Sequence, residues 1–182
     1  MERTHAELCR TLSALLSYPT GDAAALAHEA RGLAGPGAAA AALGRFEDAA
    51  REAGREGLEE LYTAAFDLRP ACAPYLGAQL LAEDSPVRGP LLAKLAEVYA
   101  AEGYRPREEL ADHVAEVLGF LAVAQPGPVR DDLVQDGLAP ALDKMIHAFA
   151  DRANPYRELL VAVRAVFAAP AAARPRGAEA RP

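Results

Sequence analysis

Residues 58–77 read LEELYTAAFDLRPACAPYLG, and this stretch decides what kind of fold the chain adopts. Leu58, Leu61, Tyr62, Ala65 and Phe66 recur at i, i+3, i+4, i+7 and i+8, the apolar stripe of an amphipathic helix, with Glu59, Glu60 and Thr63 off it. Pro70 and Pro74 then end the pattern. Each lacks an amide proton and disfavours helical geometry in the residue before it. Asp67 to Tyr75 is therefore predicted to be an extended or turning loop carrying Leu68, Cys72 and Tyr75. A loop that apolar has something to cover or to bind.

Helical periodicity continues on both sides of this stretch. A first helix is predicted from Thr4 to Tyr18, with Leu8, Leu12, Leu15 and Leu16 inward and Pro19 and Gly21 ending it. Asp22 is placed to cap a second helix to Leu33. After Gly35, Pro36 and Gly37 comes an alanine-rich helix to Ala53, predicted to be peripheral because Leu43 and Phe46 are its only large apolar residues. Beyond the proline loop, residues 77–81 suit a short helical turn. Gly89 and Pro90 open a helix that Gly103 stops. Leu110, Val114, Val117, Leu118 and Leu121 form the stripe of the next. Residues 129–150 are helical again, with Pro140 expected to kink or split them. Asn154 and Pro155 then cap and open a final helix. No alternating strand pattern occurs, so the fold class is all-α, a single domain over residues 1–168 of seven or eight helices. Residues 169–182, rich in Ala, Pro, Arg and Gly, read as a disordered tail.

Lys and Arg number 19 against 26 Asp and Glu, a net charge of −7. An acidic body argues against nucleic acid as a partner and suits a basic peptide or simply a solvated surface. Cys9 and Cys72 are too few for a disulfide framework or a paired zinc site. Glu2 and Glu7 sit where a signal peptide would be basic, and no apolar run is long enough to span a bilayer. The expectation is a soluble, cytoplasmic protein without stable membrane insertion.

Enzymatic signatures are weak. A di-iron bundle needs a Glu-x-x-His pair on each of two helices, and only Glu2 to His5 has that spacing. No nucleophile elbow or phosphate loop exists, and Cys72 reads as a small apolar filler. His28 and His147 read as surface residues without partners. Asp112 and His113 stand out near a helix start. On a helical wheel His113 and Phe120 border the buried face, while Asp112 points away from it. They serve either as a helix-dipole complement and a boundary histidine, or as part of a site.

Four pieces taken in order carry a resemblance: LSYP at 16–19, LYTAAFDLRPACAPYLG at 61–77, RGPLLAKLAEVYAAEGY at 88–104 and ELADHVAEVLGFLA at 109–122. Together they resemble the TorD/DmsD/NarJ family of molybdoenzyme assembly chaperones, and look closest to its nitrate reductase delta-subunit branch. The family's usual Leu-Pro-Asp-His signature is ELADH here, with Ala111 in the Pro place. A Pro there would start the helix, whereas Ala111 lets it start as early as Pro106.

The resemblance implies a non-enzymatic chaperone with no cofactor of its own, acting as monomer or homodimer. Its partner is implied to be the apo catalytic subunit of a molybdoenzyme, bound through its N-terminal peptide and held for cofactor insertion before membrane attachment or export. The implied peptide-binding residues are Tyr62, Phe66, Pro70, Pro74, Tyr75, Asp112, His113 and Phe120. Pro70 to Tyr75 is accordingly expected beside Asp112 and His113. Two readings from other classes stay open: a helical metal or cofactor enzyme, and a structural subunit retained in the mature complex.

Overall fold

Every element of the computed structural model is helical among the described residues, which are 2–67, 72–149 and 153–168. They are α1 (Glu2–Leu15), α2 (Ala23–Ala34), α3 (Ala38–Phe66), α4 (Leu76–Leu80), α5 (Arg88–Ala101), α6 (Val114–Leu121), α7 (Pro128–Asp132), α8 (Ala139–Ala148) and α9 (Tyr156–Val166). A π-helical turn, Leu133–Leu138, joins α7 to α8 without a break, so the helical bodies number eight, within the predicted seven or eight. Pro70 and the predicted tail 169–182 lie outside the described residues.

α1 packs against α2 and α6, and α3 packs against α2 and α9, with α8 on α9 and α4 on α8. The leucines predicted to face inward from the first helix, Leu8, Leu12, Leu15 and Leu16, are all buried. Two caps act as predicted. The Asp22 carboxylate accepts the Ala25 amide at 2.9 Å, and Asn154 Oδ1 accepts the Tyr156 amide at 3.0 Å. Asn154 also donates through Nδ2 to the Leu61 carbonyl at 2.9 Å, so the cap that starts α9 ties it to α3. Side-chain caps of this kind are each worth about 1 kcal/mol.

Two expectations are corrected. The alanine-rich segment is not peripheral: Leu43 and Phe46 are fully buried, because its small side chains let α2 and α9 approach closely and two large residues fill what remains. The end predicted at Ala53 is there: Gly54, at φ 65° and ψ −176°, leaves helical geometry and divides α3 into two segments, a conformation only glycine adopts without strain. His28 has a partner after all. Its Nδ1 lies 3.2 Å from Glu47, a carboxylate only 3% exposed that also accepts from Arg51 at 2.7 Å. The second oxygen of Glu47 is 3.1 Å from the Arg31 guanidinium, an ion contact without hydrogen-bond geometry. The Arg51 hydrogen bond, more than any other cause, holds the Glu47 carboxyl below the usual range.

Pro140 does not split the helix and instead alters its hydrogen bonding one turn upstream. Proline lacks an N–H and its ring clashes with the carbonyl four residues back. The chain widens to a π-turn there, with the Ala139 amide bonded to the Val134 carbonyl five residues back.

Candidate peptide-binding cleft

Asp112 and His113 do not belong to the helix they were placed on. α6 begins at Val114, later than either predicted start, and Leu110 is 49% exposed instead of lying on a buried stripe. Residues 110–113 form a turn closed by the His113 amide on the Leu110 carbonyl at 2.9 Å, and His113, extended, meets residues 74–76. Tyr75 and His113 form an isolated antiparallel bridge, with the Leu76 amide donating to the Asp112 carbonyl and the Val114 amide to the Pro74 carbonyl, each at 2.8 Å. The wheel had aimed Asp112 outward. It is fully buried, with Oδ2 accepting the Gly77 amide at 3.0 Å and the Arg88 guanidinium 3.7 Å away. Its other oxygen has no hydrogen-bond partner among the described residues.

This junction explains Gly77, since a Cβ there would lie 2.7 Å from Asp112 Oδ2. His113, 1% exposed, accepts the Ala115 amide on Nδ1 at 3.1 Å and so caps α6 as a neutral imidazole. Burial holds its pKa below the ordinary histidine value, against the opposing pull of Glu109, Glu116 and Asp112. Its ring meets the Tyr75 ring edge-on at 5.1 Å, and the Tyr75 hydroxyl donates to Glu109 at 2.8 Å. Burial and the Glu109 hydrogen bond push the Tyr75 phenol up to about 12. The expected adjacency of the proline loop to Asp112 and His113 therefore holds for its described part, Pro74 and Tyr75.

Tyr62 and Phe66 sit in a different environment. Tyr156 lies at the centre of an aromatic cluster, with ring centroids 5.4 Å from Tyr62, 5.3 Å from Phe66 and 5.4 Å from Phe46. Phe149 adds an edge contact to Phe66. Tyr62 is 8% exposed, and its outer side meets the Tyr18 ring at 5.4 Å. Phe120 is not at a boundary. It stacks on Tyr99 at 4.4 Å within the core. Cys72 is 4% exposed, with its thiol pushed up to about 12 by burial, which suits the filler reading.

The pairing of residues 74–77 with 112–114, a latch between two loops, adjoins through Glu109 a cleft of about 320 Å³ that Tyr62 of the aromatic cluster also lines, between the end of α1, the start of α2, α3 and the loop before α6. Tyr18 and Tyr62 line one part of it, and Tyr104, Glu108, Glu109 and Glu116 another. Glu116 shapes the acidic wall: it accepts the Tyr104 hydroxyl at 2.6 Å and the Arg107 amide at 3.1 Å, pinning the loop. Gly119 makes room for that arrangement, because a Cβ there would collide with the Tyr104 hydroxyl.

Of the predicted site residues, Tyr62 lines the cleft and Tyr75 reaches it through Glu109. Phe66, Pro74, Asp112, His113 and Phe120 are buried, and Pro70 lies outside the described residues. Tyr18, Glu108 and Glu109 were not singled out. Their signals were the tyrosine within LSYP and the two acids leading into the ADH triplet. Among the described residues no cluster of three or more His, Cys, Asp or Glu has metal-binding spacing, and no helix is long and apolar enough to cross a membrane. A family model described as nitrate reductase delta subunit matches residues 34–162, well over half of the chain and including the whole latch. No curated protein matches the chain.

Proposed function

Because this chain belongs to the nitrate reductase delta subunit family, we propose that it is the assembly chaperone of a nitrate reductase or a related molybdoenzyme. Membership implies a role in assembling nitrate reductase without catalysis of its own. The finer reading is that the chain binds the N-terminal segment of the catalytic subunit in the cytoplasm. It holds that subunit for molybdenum cofactor insertion before membrane attachment or export.

The observation that supports this reading best is the cleft itself, lined by the aromatic Tyr18 and Tyr62 and by Glu108, Glu109 and Glu116, with Arg107 as the one cation among its lining residues. An aromatic lining together with an acidic one suits a peptide that alternates apolar and basic residues, with the rings taking the apolar anchors and the carboxylates steering the basic ones. Tyr62, Tyr75 and Glu109 are the contact residues in this reading. Asp112, His113, Pro74, Phe66 and Phe120 hold them in place from beneath.

Calorimetry with a synthetic peptide from the catalytic subunit's N-terminus tests it. Binding is expected with a negative heat-capacity change, weakening as salt is raised. Tyr75→Ala is expected to lower affinity about tenfold, roughly 1.4 kcal/mol, with little change in thermal midpoint. An absence of heat and of displacement for every such peptide would sink the proposal. Copurification separates a chaperone from a retained subunit, since a chaperone accompanies immature enzyme and is missing from the finished complex.

A further inference from the structure

At the other end of α1 and α6 lies a pocket of different character. Its volume is about 490 Å³, and Arg3, His5 and Arg130 share its lining with Leu121, Val123 and Pro126. Arginine and histidine cluster here although the protein carries a net charge of −7.

Arg130 is only 21% exposed, and the one carboxylate within 4.0 Å of it among the described side chains is that of Asp131, at 3.9 Å. Its close hydrogen bond goes instead to an imidazole, with Nη2 3.0 Å from His5 Nε2. A guanidinium only donates, so His5 Nε2 accepts and the ring is neutral with its proton on Nδ1. Burial first, and Arg130 second, hold the His5 pKa below its ordinary value. The Phe167 ring fixes His5 from the side, with centroids 5.6 Å apart. Arg10 covers the adjoining end of α6 by donating to the Ala122 carbonyl at 3.5 Å, which offsets the negative end of that helix dipole. A largely buried cation without a close counter-charge among the described side chains, set against an aliphatic wall, is an incomplete electrostatic arrangement that an anion would complete.

We infer that this pocket is a second binding site, taking a carboxylate flanked by aliphatic side chains on an acidic segment of a partner protein. Guanidinium and carboxylate pair in two-point geometry. Val123 and Val129, 38% and 57% exposed, extend the apolar surface beside the pocket for the flanking side chains. The acidic body repels such a segment elsewhere and favours this end. Once Arg130 turns to the incoming carboxylate, His5 Nε2 keeps the Cys9 thiol, at 3.6 Å, as its remaining close contact and its proton affinity rises, so binding takes up protons.

The test titrates the full-length protein with acetyl-Leu-Glu-Leu-amide and with its Gln counterpart, following histidine resonances by NMR and heats in buffers of different ionisation enthalpy. The Glu peptide is expected to bind about tenfold more tightly, to raise the His5 pKa and to take up protons. Arg130→Gln is expected to erase the difference between the peptides, and Arg3→Gln, at an exposed position, to reduce it. Glu109→Gln is expected to leave it unchanged, which separates this site from the acidic cleft. Equal binding of the two peptides, or a difference that survives both arginine substitutions, overturns the inference. So does competition by inorganic phosphate as strong as that of the Glu peptide, which would mark a general anion site.

Discussion

The latch around Asp112 and the cluster around Tyr156 both adjoin the acidic cleft, the one through Glu109 and the other through Tyr62, and they are built by opposite means. The cluster is apolar and forgiving: rings from α3, α8 and α9 meet edge-on, and no single polar bond decides its geometry. The latch is polar and exacting. One carboxylate, one imidazole and two backbone bonds hold two loop segments whose contacts are 35 to 40 residues apart in sequence. The cluster is expected to contribute more to the stability of this region than the latch does. The latch sets where Tyr75 and Glu109 stand.

Phe66→Ala breaks the comparison on the cluster side. It removes a buried ring with three aromatic neighbours, and denaturant unfolding is expected to show a loss of about 3–5 kcal/mol. Gly77→Ala breaks it on the latch side by forcing a Cβ against Asp112 Oδ2, at a cost of about 1–3 kcal/mol. Adding Asp112→Ala to that variant is expected to cost less than the two changes summed, because the collision has gone. Strict additivity would mean the two residues are uncoupled.

A pH titration of stability sharpens the difference. His113 is held neutral in the fold with its pKa lowered, so the unfolded chain binds the proton more readily. Its contribution is intact above the unfolded value of about 6.5 and is lost as pH falls through the lowered folded pKa. His5, also lowered, acts in the same direction. His113→Asn, which keeps a capping side chain, is expected to flatten the acid limb of the stability profile. An unchanged slope would assign that limb to His5 and, at lower pH, to the Glu47 carboxyl.

The smallest expected effect is a gain. The Tyr156 hydroxyl is buried with no hydrogen-bond partner among the described residues, so Tyr156→Phe is expected to be neutral or to stabilise by up to about 1 kcal/mol. A loss larger than that would reveal a polar role for the centre of the cluster.

The cluster was legible in sequence because it obeys periodicity. Leu58, Tyr62, Ala65 and Phe66 are buried on the predicted stripe, and Asn154 with Pro155 announced the helix that brings Tyr156 to them. The latch was legible only through resemblance. Helical spacing carried Asp112 outward, because a wheel assumes a helix and these residues leave helical geometry to pair with the proline loop. Glu47 and His28 escaped notice for a related reason: their pairing joins α2 to α3, and no local pattern encodes a contact between residues 19 apart. Tyr104 and Glu116 share that character, being held together by a loop fold that only the finished core imposes.

The dependence of α3 on α9 has a consequence for how the chain is made. Phe46, Tyr62 and Phe66 are translated 90 to 110 residues before Tyr156, the ring that seals them. At about 5–20 residues per second, several seconds pass on the ribosome with that face of α3 uncovered. A nascent chain arrested near residue 150 should therefore bind a hydrophobic dye strongly, and one extended beyond α9 far less. The protein proposed to shield another chain's unfinished state passes through such a state during its own synthesis.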